Sequence, residues 1–253
     1  MPPIYETGHL KNIANFQDLI SFCEGYGTAY NPIKESLKIA QLQTLHQDVQ
    51  DKFNETKTKK VTFDLATNDR QLAFADLKPL ATKIINAFSV CGADPLAVAD
   101  AKTINRKLQG YSKKQQPPTP EEGEGNEGEN DSPPSGDGGL ASTSQQSYDR
   151  LIDHFDNFIQ ILLQAPAYTP NEEDIKIETL QTKLANLQAV NTALVAAYTP
   201  YSNAMITRND ALYNPLTGLV QTAKEVKLYV KSVFGATSTQ YKQVSAIEFT
   251  KPR

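Results

Sequence analysis

Ile177, Leu180, Leu184, Leu187, Asn191, Leu194, Tyr198, Tyr201 and Met205 follow one another at alternating steps of three and four residues, without a break. Only an α-helix returns side chains to one face at that interval. The run therefore predicts one long amphipathic helix, or two collinear ones, needing a packing neighbour along the whole stripe. Pro200 lies inside it. A proline removes a backbone hydrogen bond and crowds the preceding turn, but the stripe keeps phase across it, so the expectation is a kink rather than a reversal. Pro170 with the acidic Glu172, Glu173 and Asp174 suits the helix N-terminus, where carboxylates meet the positive end of the macrodipole.

Shorter stripes flank this seam. Leu151, Ile152, Phe155, Phe158, Ile159 and Leu162 form one, and Leu219, Ala223, Val226, Val230 and Val233 another. The turn signal Asn214-Pro215-Leu216-Thr217-Gly218 precedes the latter, and Gly235 is a plausible stop. Ile84, Ile85 and Phe88 lead to Cys91-Gly92, and a further helix is expected from Pro95 to Leu108. Only Val61-Thr62-Phe63-Asp64-Leu65 is ambiguous with a strand.

Between Lys113 and Ser147 the composition changes abruptly. Five prolines, seven carboxylates and only two hydrophobic residues, Leu140 and Ala141, stand there. Such a stretch cannot bury enough apolar area to offset its ordering entropy, so residues 113–147 read as a disordered acidic linker, a solvated spacer with an r.m.s. span of about 30–35 Å. The whole chain has a formal charge of −4, and the linker carries its seven carboxylates against two lysines, so the remainder is nearly neutral. That excludes a strongly basic nucleic-acid binder by bulk charge. No basic region followed by an apolar run opens the sequence, and no apolar stretch is long enough for a bilayer. With only Cys23 and Cys91, read as reduced thiols, the expectation is a cytoplasmic protein without membrane contact.

The flanks of the linker resemble each other. Tyr30-Asn31-Pro32 with Glu35 matches Tyr168-Thr169-Pro170 with Glu173, and Lys38, Ile39, Leu42, Gln43 and Thr44 match Lys176, Ile177, Leu180, Gln181 and Thr182. Phe16, Leu19 and Ile20 pair with Tyr148, Leu151 and Ile152, and Asn68-Asp69 with Asn209-Asp210. Val90-Cys91-Gly92-Ala93 pairs with Val233-Phe234-Gly235-Ala236. Their common order reads as an internal duplication. The expected fold is all-α: two tandem, similar helical bundles of about four helices each, residues 10–112 and 148–250, joined by the linker. The runs Arg208-Asn209-Asp210-Ala211-Leu212-Tyr213, Tyr229 to Ala236 and Gln240 to Ser245, with Val98 to Lys102 and Ile104 to Lys107, resemble a family of uncharacterised bacterial helical proteins. The resemblance covers both halves but not the linker, and implies no activity, ligand or catalytic residue.

Chemical constellations are sparse. Glu6 and His9 have Glu-x-x-His spacing, but once, whereas a di-metal carboxylate bundle needs it on two helices. Asp153, His154 and Asp156 lie close on one helix and read as a solvated polar face beside Phe155. Gly123, Gly125 and Gly128 mimic part of a phosphate loop, but in an acidic stretch that would repel phosphate. No cofactor, metal or catalytic residue is expected. Tyr198 and Tyr201 read as core. Lys102, Arg106, Lys107, Lys113 and Lys114 cluster around Tyr111 as candidate phosphate contacts, although a cationic helix end beside an acidic neighbour explains them as well.

The leading expectation is a non-catalytic helical interaction or scaffold protein with a protein partner or self-association. The alternative is a nucleic-acid-associated protein using the cluster from Lys102 to Lys114. The third, an enzyme with an unrecognised site, requires a deep polar pocket holding two or more titratable groups.

Overall fold

The computed structural model describes residues 5–110 and 146–250. Over these residues the chain is helical and carries no strand. Before the central gap it forms α1 (Tyr5–Gly25), α2 (Ile39–Phe74), α3 (Leu77–Val90) and α4 (Pro95–Gln109). After it come α5 (Tyr148–Leu163), α6 (Ile177–Tyr213), α7 (Leu219–Phe234) and the short α8 (Thr239–Ser245). Most of the linker expected at 113–147 lies outside the described residues, as do Lys113, Lys114 and the glycines at 123, 125 and 128. Among the described residues no helix is long and apolar enough to cross a membrane.

Several ends follow from local chemistry. Asp94 caps α4, accepting from the Ala97 amide at 3.3 Å with Pro95 in the first turn. Gly235 ends α7 at φ +90°, a conformation L side chains rarely adopt. Asn214 Oδ1 accepts from the amides of Leu216 and Thr217 at 2.9 and 3.2 Å, building the expected turn before α7. Gly218 closes that turn so tightly that a Cβ there would lie 2.5 Å from the Asn214 nitrogen. The ambiguous Val61–Leu65 stretch is helical, inside α2, and α6 runs through Pro200 without reversing. The acidic residues before α6 do not form its first turn. Glu173–Ile175 is a separate 3₁₀ turn, and Lys176 leaves it extended, pairing with Glu173 at 2.6 Å.

The expected division into bundles at 10–112 and 148–250 is not how the chain divides. One compact unit comprises Met1–Leu65 and Ala196–Arg253, the other Ala66–Val195. Each draws on both sides of the linker. In the first unit Ile13, Phe16 and Ile20 of α1 and Leu42 and Val49 of α2 share a core with Leu212 of α6, Val226 of α7 and Val244 of α8. In the second unit Leu77, Ile84 and Phe88 of α3 and Leu108 of α4 share one with Phe155 and Phe158 of α5 and Leu180 and Leu187 of α6. The physical reason lies in the two long helices. A stripe as long as that of α6 exceeds what one short bundle can cover, so α2 and α6 each give their front to one core and their back to the other. Each fully buried phenylalanine or leucine contributes about 1.5–3 kcal/mol, so both cores need residues from both sides.

The two sides share local details. The Tyr30 hydroxyl donates to the Leu37 carbonyl at 2.8 Å, and the Tyr168 hydroxyl to the Ile175 carbonyl at 2.9 Å. Lys38 pairs with Glu35 as Lys176 does with Glu173. The buried positions of α1 and α5 align differently from the expected pairing of Phe16, Leu19 and Ile20 with Tyr148, Leu151 and Ile152. Phe16, Leu19, Ile20 and Cys23 fall on Phe155, Phe158, Ile159 and Leu162, all buried.

Candidate functional site

The second unit contains a cleft of about 960 Å³. Its long walls are α4 and α5. From α4 come Ala97, Asp100, Ile104 and Lys107, and from α5 Arg150, Asp153, His154, Asn157, Gln160, Ile161 and Gln164. Both sets recur at steps of three and four, so each is one helix stripe. Gly92, Ala93 and Asp94 before α4 and Ala165, Pro166 and Ala167 after α5 close one end. Lys107 and Arg150 stand at the other, where the Gln146 side chain donates to the Lys107 carbonyl at 2.7 Å. The two helices therefore run antiparallel along the cleft.

Charge is distributed unevenly along it. Lys107, Arg150, Asp153 and His154 gather where α4 ends and α5 begins, whereas Asp94 stands at the opposite end and Asp100 midway along α4. His154 is 6% exposed, so the expectation of a solvated face is corrected for this residue: the ring is buried, while Asp153 beside it stays exposed. Burial chiefly, then the charge of Lys107, pushes its pKa down, and Arg150 acts likewise, while Asp153 opposes them. Asp153 Oδ2 lies 3.8 Å from His154 Nδ1 and 4.0 Å from Arg150 Nη1, and Asp156 instead accepts from Gln160 at 3.1 Å. Ile104, Ile161 and the alanines make the remaining wall apolar. A smaller cleft of about 360 Å³ in the same unit is flanked by ion pairs, Lys83 with Asp174 at 2.7 Å and Lys183 with Asp76 at 2.6 Å.

The structure divides the candidate basic cluster. Lys107 enters the cleft; Lys102 and Arg106, one turn apart on α4, do not, and Arg106 donates to Thr103 Oγ1 at 2.9 Å. Sequence reasoning missed Asp94, Asp100, Arg150, Asn157, Gln160 and Gln164. The signal available was a polar stripe along all of α5, which ordinary solvated faces also show. Among the described residues no three His, Cys, Asp or Glu side chains gather as a metal site. His9 is engaged elsewhere, its Nδ1 2.7 Å from the Tyr213 hydroxyl. Cys23 and Cys91 are free thiols, the first pushed up to about 12 by burial.

Two details of the first unit bear on the cleft. Tyr26, just past α1, lies 5.2 Å from the Phe234 ring and donates its hydroxyl to the Gln240 carbonyl at 3.0 Å. Asn12 and Asn15 on α1 hold the non-helical segment 248–250. Asn15 Nδ2 donates to the Glu248 carbonyl at 2.6 Å, Asn12 Nδ2 to the Thr250 carbonyl at 2.7 Å, and the Thr250 amide to Asn12 Oδ1 at 3.0 Å. Tyr198 and Tyr201 both pack on Phe63, at 5.5 and 5.7 Å, with Tyr198 still 49% exposed.

Compared with known proteins, the chain matches no family model, no curated protein and no solved structure.

Proposed function

We propose that the protein is a non-catalytic binding protein, built by internal duplication, that holds part of a protein partner in the cleft between α4 and α5. The observation that carries this reading is the cleft itself, of ligand size, with an apolar wall and convergent polar groups. The duplication supports it. Ala165 and Cys91 stand where the buried register and the glycine motif put Tyr26 and Phe234 in the other copy. Two rings packed against the first unit's core are thus matched by small side chains beside the cleft.

The chemistry of the lining favours binding over catalysis. It includes no serine, threonine, cysteine or tyrosine to act as a nucleophile. Three carboxylates against two permanent cations also disfavour a nucleic-acid phosphate track. Two free thiols support a reducing compartment, the cytoplasm. The test is a photo-crosslinking amino acid at position 164, used in the full-length chain in its own cells. Crosslinks to a protein partner should disappear when Ala165→Trp fills the cleft. Unchanged crosslinking in that variant, with its fold intact by circular dichroism, overturns the reading.

A further inference from the structure

The cleft is polarised, and its polarity specifies an occupant. One end holds the cations Lys107 and Arg150 with Asp153 4.0 Å from Arg150, the other holds Asp94 with no cation, and Asp100, Ile104, Ile161 and alanines lie between. Asp94 and Lys107 mark its limits along α4, about 20 Å apart at 1.5 Å per helical residue. That length accommodates about six residues of extended chain at about 3.3 Å each. Asn157, Gln160 and Gln164 follow one another along the α5 wall, offering amide groups that can both donate to and accept from a peptide backbone.

The first unit shows side-chain amides on a helix holding backbone, at other helix positions: α1 holds the non-helical stretch 248–250 through Asn15 and Asn12, which in the shared register fall on His154 and Leu151. The stretch advances from Glu248 to Thr250 as the helix contacts step back from Asn15 to Asn12, so it runs opposite to its helix. A peptide lying likewise on α5 would bring its carboxyl end toward Arg150 and its amino end toward Asp94. Both cations of the lining stand at the Lys107 end and none at the Asp94 end, which favours the same direction.

Resting on the reading of the cleft as the partner site, we propose that it binds an extended segment of about six residues, antiparallel to α5, with an acidic C-terminal end at Lys107 and Arg150 and a basic N-terminal end at Asp94. The test titrates the ¹⁵N-labelled full-length protein with two hexapeptides bearing free termini, Lys-Ala-Ile-Ala-Ala-Glu and its charge-exchanged form Glu-Ala-Ile-Ala-Ala-Lys. The first should shift amides within 94–107 and 150–167 and bind at least about fivefold more tightly, the effect of roughly 1 kcal/mol from the terminal charge pairs. The combined variant Lys107→Glu, Arg150→Glu, Asp94→Lys, Asp100→Lys should reverse that preference. Equal affinities, shifts confined to other surfaces, or saturation by inorganic phosphate with neither peptide bound would overturn the proposal. Failure of both peptides while Ala165→Trp still abolishes partner crosslinking would defeat the peptide assignment and leave the cleft as the partner site. Persistence of crosslinking in that variant would remove the partner reading itself.

Discussion

Replacing Tyr168 by phenylalanine removes one oxygen and nothing else. Tyr168 is 4% exposed, its ring stands 5.7 Å from Phe88, and its hydroxyl donates to the Ile175 carbonyl at 2.9 Å. Phenylalanine keeps the ring packing but leaves a buried carbonyl short of its donor, which costs about 1–3 kcal/mol. At 2–4 °C per kcal/mol for a chain of this size, the melting temperature should fall by roughly 2–12 °C. Tyr30→Phe breaks the matching bond to Leu37 at 2.8 Å, so its loss should fall in the same range, and the two should add because the bonds lie in separate units. Burial also raises the Tyr168 pKa to about 12. Below pH 10 folded and unfolded chains both keep the proton. Above it the unfolded chain loses the proton first, so stability falls between about pH 10 and 12 and Tyr168→Phe should flatten that fall. Urea denaturation of the full-length protein and both variants, at pH 7 and across pH 9.5–11, measures all of this. A loss below about 0.3 kcal/mol for Tyr168→Phe at pH 7 would refute the claim that this hydroxyl fastens the turn before α6.

His9 is buried beside Tyr213 and held down to about pH 4, chiefly by burial and then by the charge of Arg208, so it stays neutral in the folded state while the unfolded chain protonates near 6.5. Stability should therefore decline as pH falls from about 6.5 to 4, and denaturation of His9→Gln should show a shallower decline. Leu212 of α6 is fully buried among residues of α1 and α2, so Leu212→Ala should cost about 2–5 kcal/mol. Native-state hydrogen exchange should then show amides of 13–49 losing more protection than those of 151–187.

Much of this architecture is written in periodicity. The stripes of α5, α6 and α7, the Pro95 start of α4 and the Gly235 stop all have direct chemical causes in the sequence. What periodicity cannot name is the partner of a stripe. The seam of α6 announces an apolar face equally well whether Leu212 meets its own half or Ile13 and Leu42 of the other. His154 was illegible for a related reason: polar neighbours at 153 and 156 suggest solvent, yet its helical angle, one residue from Phe155, turns it inward. The cleft is harder still to read, because it arises from what is small. Ala165 on its lining is a small residue that periodicity gives no reason to notice. Lys107 was visible as a cation, but its separation from Lys102 and Arg106 depends on which stripe of α4 faces α5.

The central structural claim is that each unit is assembled from both sides of residues 111–145. The most direct measurement inserts a specific protease site there, cuts the folded protein, and passes it through a sizing column before and after separating the fragments in denaturant. The nicked chain should elute as one species, because Phe16 and Leu212 share one core and Phe88 and Phe158 the other. Each fragment refolded alone should lose most of its cooperative unfolding transition and regain it on mixing. Clean separation of the nicked protein into two folded fragments, each unfolding cooperatively by itself, would contradict the account.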